Sequence, residues 1–140
     1  TNGLLFKQMF PRVQHVIART RHLNVSIDGA SQSTYETLRR GGSWDKIKDN
    51  LKFIGDNKKI GYRFEMHMVV QKSNWHEMFD MLSLASEVGA DQVKFTRIAD
   101  WGTFNQFDSQ QPPYDNLEFK YMLKACEDHP MGHTWLDPNL

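Results

Sequence analysis

The chain has 140 residues, 39% hydrophobic and 24% charged, enough for one packed domain or a piece of a larger one and inconsistent with wholesale disorder. Its 17 Lys and Arg balance 17 Asp and Glu, so net charge gives no ground for a nucleic-acid or anionic-membrane partner. The single cysteine, Cys126, can neither close an internal disulfide nor alone hold a zinc ion or an iron–sulfur cluster.

No apolar run approaches the roughly 20 residues of a membrane helix, and no signal-peptide pattern opens the chain. The reducing cytoplasm is the expected compartment. The chain opens at Thr1 without a methionine and reads as an excised segment.

Residues 5–20 have a helical pattern, with Pro11 expected to limit where the first turn begins. Residues 22–28 alternate Leu23, Val25 and Ile27 with Asn24, Ser26 and Asp28, which is the strand signal. Ser33 with Glu36 suggests a capping box for a short helix that stops at Gly41-Gly42. Trp44, Ile47, Leu51 and Ile54 then fall at helical spacing.

A second strand spans 62–70, with Tyr62, Phe64, Met66, Met68 and Val70 on one face and Arg63, Glu65 and His67 on the other. Asn74 and Glu77 look like a capping signature for the helix carrying Trp75, Met78, Leu82 and Ala85, which Gly89 ends. A third strand covers 92–98, where Val93 and Phe95 alternate with Lys94 and Thr96. An irregular stretch, 99–114, follows, with a candidate boundary at Pro112-Pro113. A last helix is expected at about 115–128, and loop beyond 129.

Strand–helix–strand order with short links predicts parallel strands and right-handed crossovers. Strands covered by helices on both faces are apolar on both sides, yet each strand here has a polar second face. One reading is a two-layer sheet with that face in water. The other is an incomplete parallel (β/α) barrel arc, with helices outside and the polar side lining a ligand-holding interior. Sites in such folds sit at the carboxyl ends of strands, which directs attention to Ser26 and Asp28.

Three segments stand together: Thr1-Asn2-Gly3; Val25-Ser26-Ile27-Asp28-Gly29-Ala30-Ser31 with Thr34-Tyr35-Glu36 and Leu38-Arg39-Arg40-Gly41-Gly42; and Val69-Val70-Gln71 with Asn74 and Glu77-Met78. In this order and spacing the chain resembles the radical S-adenosylmethionine enzymes, particularly those with a SPASM or twitch extension. The resemblance covers residues 1–106 and leaves 107–140 as linker, helix and tail leading toward an extension.

The resemblance implies the later part of a (β/α)6 partial TIM barrel that holds S-adenosylmethionine against a [4Fe–4S] cluster. The family's Cys-x3-Cys-x2-Cys cluster loop and its Gly-Gly-Glu-type motif are absent from this sequence, so no radical catalysis is expected of the chain alone. The matching cofactor-binding positions are Thr1, Ser26, Asp28 and Arg39, with Arg40 as a neighbouring candidate. The hydroxyls and the Asp28 carboxylate would meet polar parts of the cofactor, and the arginine its carboxylate. A guanidinium suits that task because it offers a forked pair of donors. The substrate, a peptide or small molecule, would lie against Arg63, Glu65, His67 and Trp101.

Plainer readings stand beside these. Ser26 and Asp28 could only turn the chain at Gly29, and Arg39 and Arg40 could only complement a helix dipole. Arg63, Glu65 and His67 could form a solvated face or an internal ion pair. Cys126, Trp44 and Trp75 fit core packing. His129 and His133 flank Pro130-Met131-Gly132, which is not a metal-ligand spacing, and no metal site is expected. Two rival functions remain: a different (β/α)-barrel hydrolase or lyase using Asp28, Glu65 and His67, or a non-catalytic module that binds a peptide or protein. An uncovered edge at 22–28 predicts self-association, most simply as a two-fold dimer.

Overall fold

Five helices and four strands make up the computed structural model, which describes residues 1–58, 62–102, 105–131 and 134–140. In chain order they are α1 (Phe6–Ile17), β1 (His22–Ser26), α2 (Gln32–Leu38), α3 (Trp44–Asn57), β2 (Arg63–Val70), α4 (Met78–Val88), β3 (Gln92–Arg97), α5 (Leu117–Glu127) and β4 (Thr134–Leu136). Short 3-10 turns at Trp75–Glu77 and Phe107–Gln110 precede α4 and α5.

All the strands are parallel, and their order across the sheet, β1-β2-β3-β4, is their order along the chain. The fold is therefore α/β, with helices alternating with a four-stranded parallel sheet. Alternation at period two does the sorting. Val25, Ile27, Phe64, Met66, Met68, Val70, Val93 and Phe95 are fully buried and share one cluster with Ile47, Leu51 and Ile54 of α3, Met81 and Leu82 of α4, and Phe119 and Cys126 of α5. Each such side chain contributes about 1.5–3 kcal/mol relative to exposure. Trp44 and Trp75 pack against the same cluster.

The opposite face carries the polar set in register. Ser26, His67, Lys94 and Trp135 form one row across the four strands, and Asn24, Glu65 and Gln92 form the row before it. No helix among the described residues is long and apolar enough to cross a membrane.

Local expectations fail at four places. Pro11 lies inside α1 rather than at its first turn. The start of the helix is set by a tertiary contact, the Lys7 N–H donating to Asn50 Oδ1 at 2.7 Å, and Pro11 is tolerated on an exposed face. Ser31, not Ser33, caps α2, accepting from the Thr34 N–H. Glu36 closes no capping box; it accepts the Trp44 N–H at 2.9 Å and so satisfies the first turn of α3. Asn74 and Glu77 do not cap α4, since their side chains reach back to the end of β1. The tail beyond 129 contains β4, which pairs with β3 at Val93, Lys94 and Phe95.

Two glycines fix geometry that a side chain would oppose. Gly89 ends α4 at φ +76°. Gly55 lets α3 and α4 meet closely, for a Cβ there would lie 1.9 Å from the Val88 carbonyl oxygen.

Candidate functional site

The carboxyl ends of β1 and β2 are joined by side chains rather than by further sheet. Asp28 lies two residues beyond β1, and its Oδ1 accepts the Val69 N–H at 2.9 Å. Its Oδ2 pairs with Arg39 Nη2 at 2.7 Å. Its backbone carbonyl accepts from Asn74 Nδ2 at 2.9 Å. The same Asn74 amide donates to the Val69 carbonyl, and its oxygen accepts the Gln71 N–H at 2.8 Å. Asn74 is 0% exposed, and its bonds fasten the two strand ends together.

Glu77, only 7% exposed, does the same for the loop after Asp28. One carboxylate oxygen accepts the N–H groups of Ala30 and Ser31, at 2.7 and 3.2 Å. The other accepts the hydroxyls of Ser31 and Thr34, each at 2.6 Å. Burial pushes the Glu77 carboxyl up, but the hydroxyls of Ser31 and Thr34 and the N–H groups of Ala30 and Ser31 outweigh it, leaving its pKa lowered. Gly29 completes the clamp, because a Cβ there would sit 2.5 Å from the Tyr35 nitrogen. The Asp28–Ser31 loop is thus held from β2, from the turn that leads into α4 and from α2.

Within that frame the sequence-derived positions separate into groups. Thr1 runs beside β1, its amino group donating to the Asn24 carbonyl and its carbonyl accepting the Ser26 N–H, both at 2.9 Å. The Ser26 hydroxyl has no hydrogen-bond partner among the described residues. Arg39, not Arg40, reaches Asp28, and its Nε is buried without a partner. Thr1, Ser26, Asp28 and Arg39 therefore gather at one strand end.

The wider set does not. Arg63 opens β2, four residues before His67 and about 13 Å along the strand. Trp101 is 83% exposed in the loop after β3. Thr103 of the irregular stretch 99–114 and His133 of the tail lie outside the described residues. Glu65 accepts from Asn24 Nδ2, and His67 Nε2 pairs with Thr96 Oγ1 at 2.8 Å. Burial, and then the Lys94 ammonium, hold the His67 imidazole below its usual pKa. No hydrogen bond joins Asp28, Glu65 and His67 to one another. Lys94 is stacked over Trp135, 4.6 Å from the ring centroid.

The donor set can be matched to the two groups that the sequence resemblance implies. A carboxylate-bearing cofactor fits in part, since Arg39 retains guanidinium donors beyond the one spent on Asp28, among them the orphaned Nε. An iron–sulfur cluster does not fit. Cys126 is buried on the inner face of α5 with its thiol pushed up to about 12 by burial, and no group of three His, Cys, Asp or Glu among the described residues could hold a metal ion.

The role of Asn74 and Glu77 at the strand ends is what sequence reasoning missed. Their spacing is that of a capping signature, and only the distance to Asp28, Ala30 and Ser31 in space assigns them to the strand ends. No protein-family model matches the chain, and no curated protein shows significant similarity to it.

Proposed function

We propose that the chain is the later part of a radical S-adenosylmethionine barrel, an arc of (β/α) units whose polar face looks inward. The carboxyl ends of β1 and β2 would be its share of the cofactor site. The observation that carries this reading is the Asp28–Arg39 pair, with a guanidinium nitrogen left buried and unpartnered. A parallel sheet in chain order, with one apolar and one polar face, suits such an arc.

In a whole barrel, the cofactor and a cluster held by other residues would supply one-electron chemistry, and this chain's residues would hold the cofactor alone. The chain's own residues bind and orient. Arg39 holds a carboxylate through its forked donors, at about 1.5–3 kcal/mol for each charged hydrogen bond. Asp28 fixes the Arg39 rotamer and is itself fixed by the Val69 N–H. Ser26 offers one donor and one acceptor to a cofactor hydroxyl. Glu65, His67 and Lys94 line the substrate side of the same face. With one cysteine, the chain lacks the three thiolates that such a cluster needs.

Association costs about 4–15 kcal/mol before any contact is counted, so a few hydrogen bonds leave millimolar affinity for S-adenosylmethionine. Titration of the 15N-labelled chain should shift the amides of Ser26, Asp28 and Arg39, and Arg39→Gln should remove the response with the remaining spectrum unchanged. Absence of those shifts at several millimolar ligand, or their persistence in Arg39→Gln, would refute the assignment. Iron and sulfide analysis after anaerobic reconstitution should find no stoichiometric four-iron cluster on this chain.

A further inference from the structure

At the other end of the strands, beneath the amino ends of β1 and β2, a cavity of about 900 Å³ opens between α1 and the last turn of α3. That volume lies within the roughly 300–1,000 Å³ of small-molecule sites. Its position follows from how α1 is attached. The helix is tied to α3 near its amino end only, by the Lys7 N–H on Asn50, by Lys7 Nζ on Asp49 at 2.9 Å, and by the Phe10 ring edge-on to Phe53 at 5.1 Å. Beyond Phe10 no hydrogen bond or ion pair joins α1 to α3 among the described residues.

The apolar stripe Phe6, Phe10, Val13 and Ile17 has the spacing of a core-facing helix, yet none of α1 is buried. Three of those four side chains, with Ile54 of α3, form apolar walls of the cavity. The charged groups around it share one sign. Arg19 and Arg21 lie on the turn between α1 and β1, no acidic residue lines the cavity, and neither arginine has an ion-pair partner among the described residues. The Tyr62 hydroxyl is buried at the wall without a hydrogen-bond partner. Burial pushes that phenol up to about 12, so it stays a neutral donor.

We infer that this cavity binds an amphiphilic carboxylate, its hydrocarbon body against Phe6, Phe10, Ile17 and Ile54 and its head against Arg19 and Arg21. The apolar body completes the burial that the α1 stripe lacks. The head meets two guanidiniums that have no other anion, and a carboxylate accepts their forked donors. The site is independent of the proposed cofactor role, since it lies at the opposite strand ends and shares no residue with Ser26, Asp28 and Arg39.

The test is a titration of the uniformly 15N-labelled chain, also carrying 13C-labelled isoleucine methyls, using dodecanoate below its micelle concentration and dodecanol and acetate as matched tail-only and head-only probes. Dodecanoate should shift the Ile17 and Ile54 methyls and bind at least tenfold more tightly than dodecanol, with acetate inert. Arg19→Gln combined with Arg21→Gln, both exposed positions, should cost at least tenfold toward dodecanoate and leave dodecanol unchanged. Equal affinity for dodecanoate and dodecanol would overturn the inference. So would absence of binding, or perturbation confined to Leu117 and Tyr121 on the exposed face of α5 (67% and 71% exposed), which marks adventitious detergent adsorption. The amides of Ser26 and Arg39 should stay in place throughout, keeping this result separate from the cofactor titration.

Discussion

Replacing Glu77 tests whether one buried carboxylate organises the strand-end loop. It accepts two backbone N–H groups and two hydroxyls, at 2.6–3.2 Å. Hydrogen bonds to a charged group contribute about 1.5–3 kcal/mol each, but groups sharing one acceptor do not add. In Glu77→Ala the Ser31 and Thr34 hydroxyls can turn to water, whereas the Ala30 and Ser31 N–H groups are left facing a void. The expected loss is about 3–5 kcal/mol, the range for breaking a buried charged network. At this chain length that lowers the melting temperature by roughly 10–20 °C.

Glu77→Gln keeps the shape and an acceptor for the two N–H groups, and its amide can donate to the hydroxyls. It loses charge assistance alone, about 1–2 kcal/mol. The pH dependence supplies an internal control. Because the folded carboxyl has a lowered pKa, its contribution is complete above the usual value of 4.5 and is lost as pH falls through the folded value. The gap between the unmodified chain and Glu77→Gln in urea unfolding should therefore be constant near neutrality and close in acid. A Glu77→Ala loss below about 1 kcal/mol, or a gap indifferent to pH, would refute the clamp.

Other outcomes follow from the same geometry. Gly55→Ala gains about 1 kcal/mol of helix propensity, but its methyl would meet the Val88 carbonyl at 1.9 Å; a net loss of about 1–3 kcal/mol is expected in denaturant unfolding. His67 should titrate below 6.5 in an NMR pH series, and its share of the stability should fade as pH drops from 6.5 through the folded value, where the unfolded chain takes up the proton first. The Cys126 thiol, buried and pushed up to about 12, should react with a thiol reagent at pH 8 only as fast as the native state opens. Thr1 covers only the Asn24 carbonyl and the Ser26 N–H of the outer edge of β1; light scattering at tens of micromolar should show a dimer, and a strictly monomeric species would exclude edge pairing.

The strands at 22–28, 62–70 and 92–98 were legible because one face of each is buried, which forces alternation at period two. The β4 strand was not legible: it has three residues, and exposed Trp135 is its middle one. Its existence depends on the open edge of β3, a fact about the sheet and not about the tail. Ser31 and Ser33 are equivalent as local cap candidates, and Glu77, some 46 residues away, holds the first of them. The gathering of Ser26, Asp28 and Arg39 was readable from the motif. The supports beneath it were not, since Asn74 and Glu77 have the spacing of an ordinary helix start while their partners lie on another βα unit.

Because the sheet follows the chain in strict sequence, each strand finds its partner among residues already made when it emerges from the ribosome. Each pairing spans one whole crossover, as from His22 to Arg63 and from Glu65 to Gln92, so a strand docks only after the helix between it and its neighbour has been made. The Asp28 loop needs nothing beyond Glu77, so the strand-end cluster can close before β3 has been synthesised. Adding β3 and β4 then extends an existing template one neighbour at a time, as in a repeat array. Shortening from the carboxyl end should peel the molecule back in the reverse order, with α5 and β4 lost first and the Asp28–Arg39 pair among the last contacts to go.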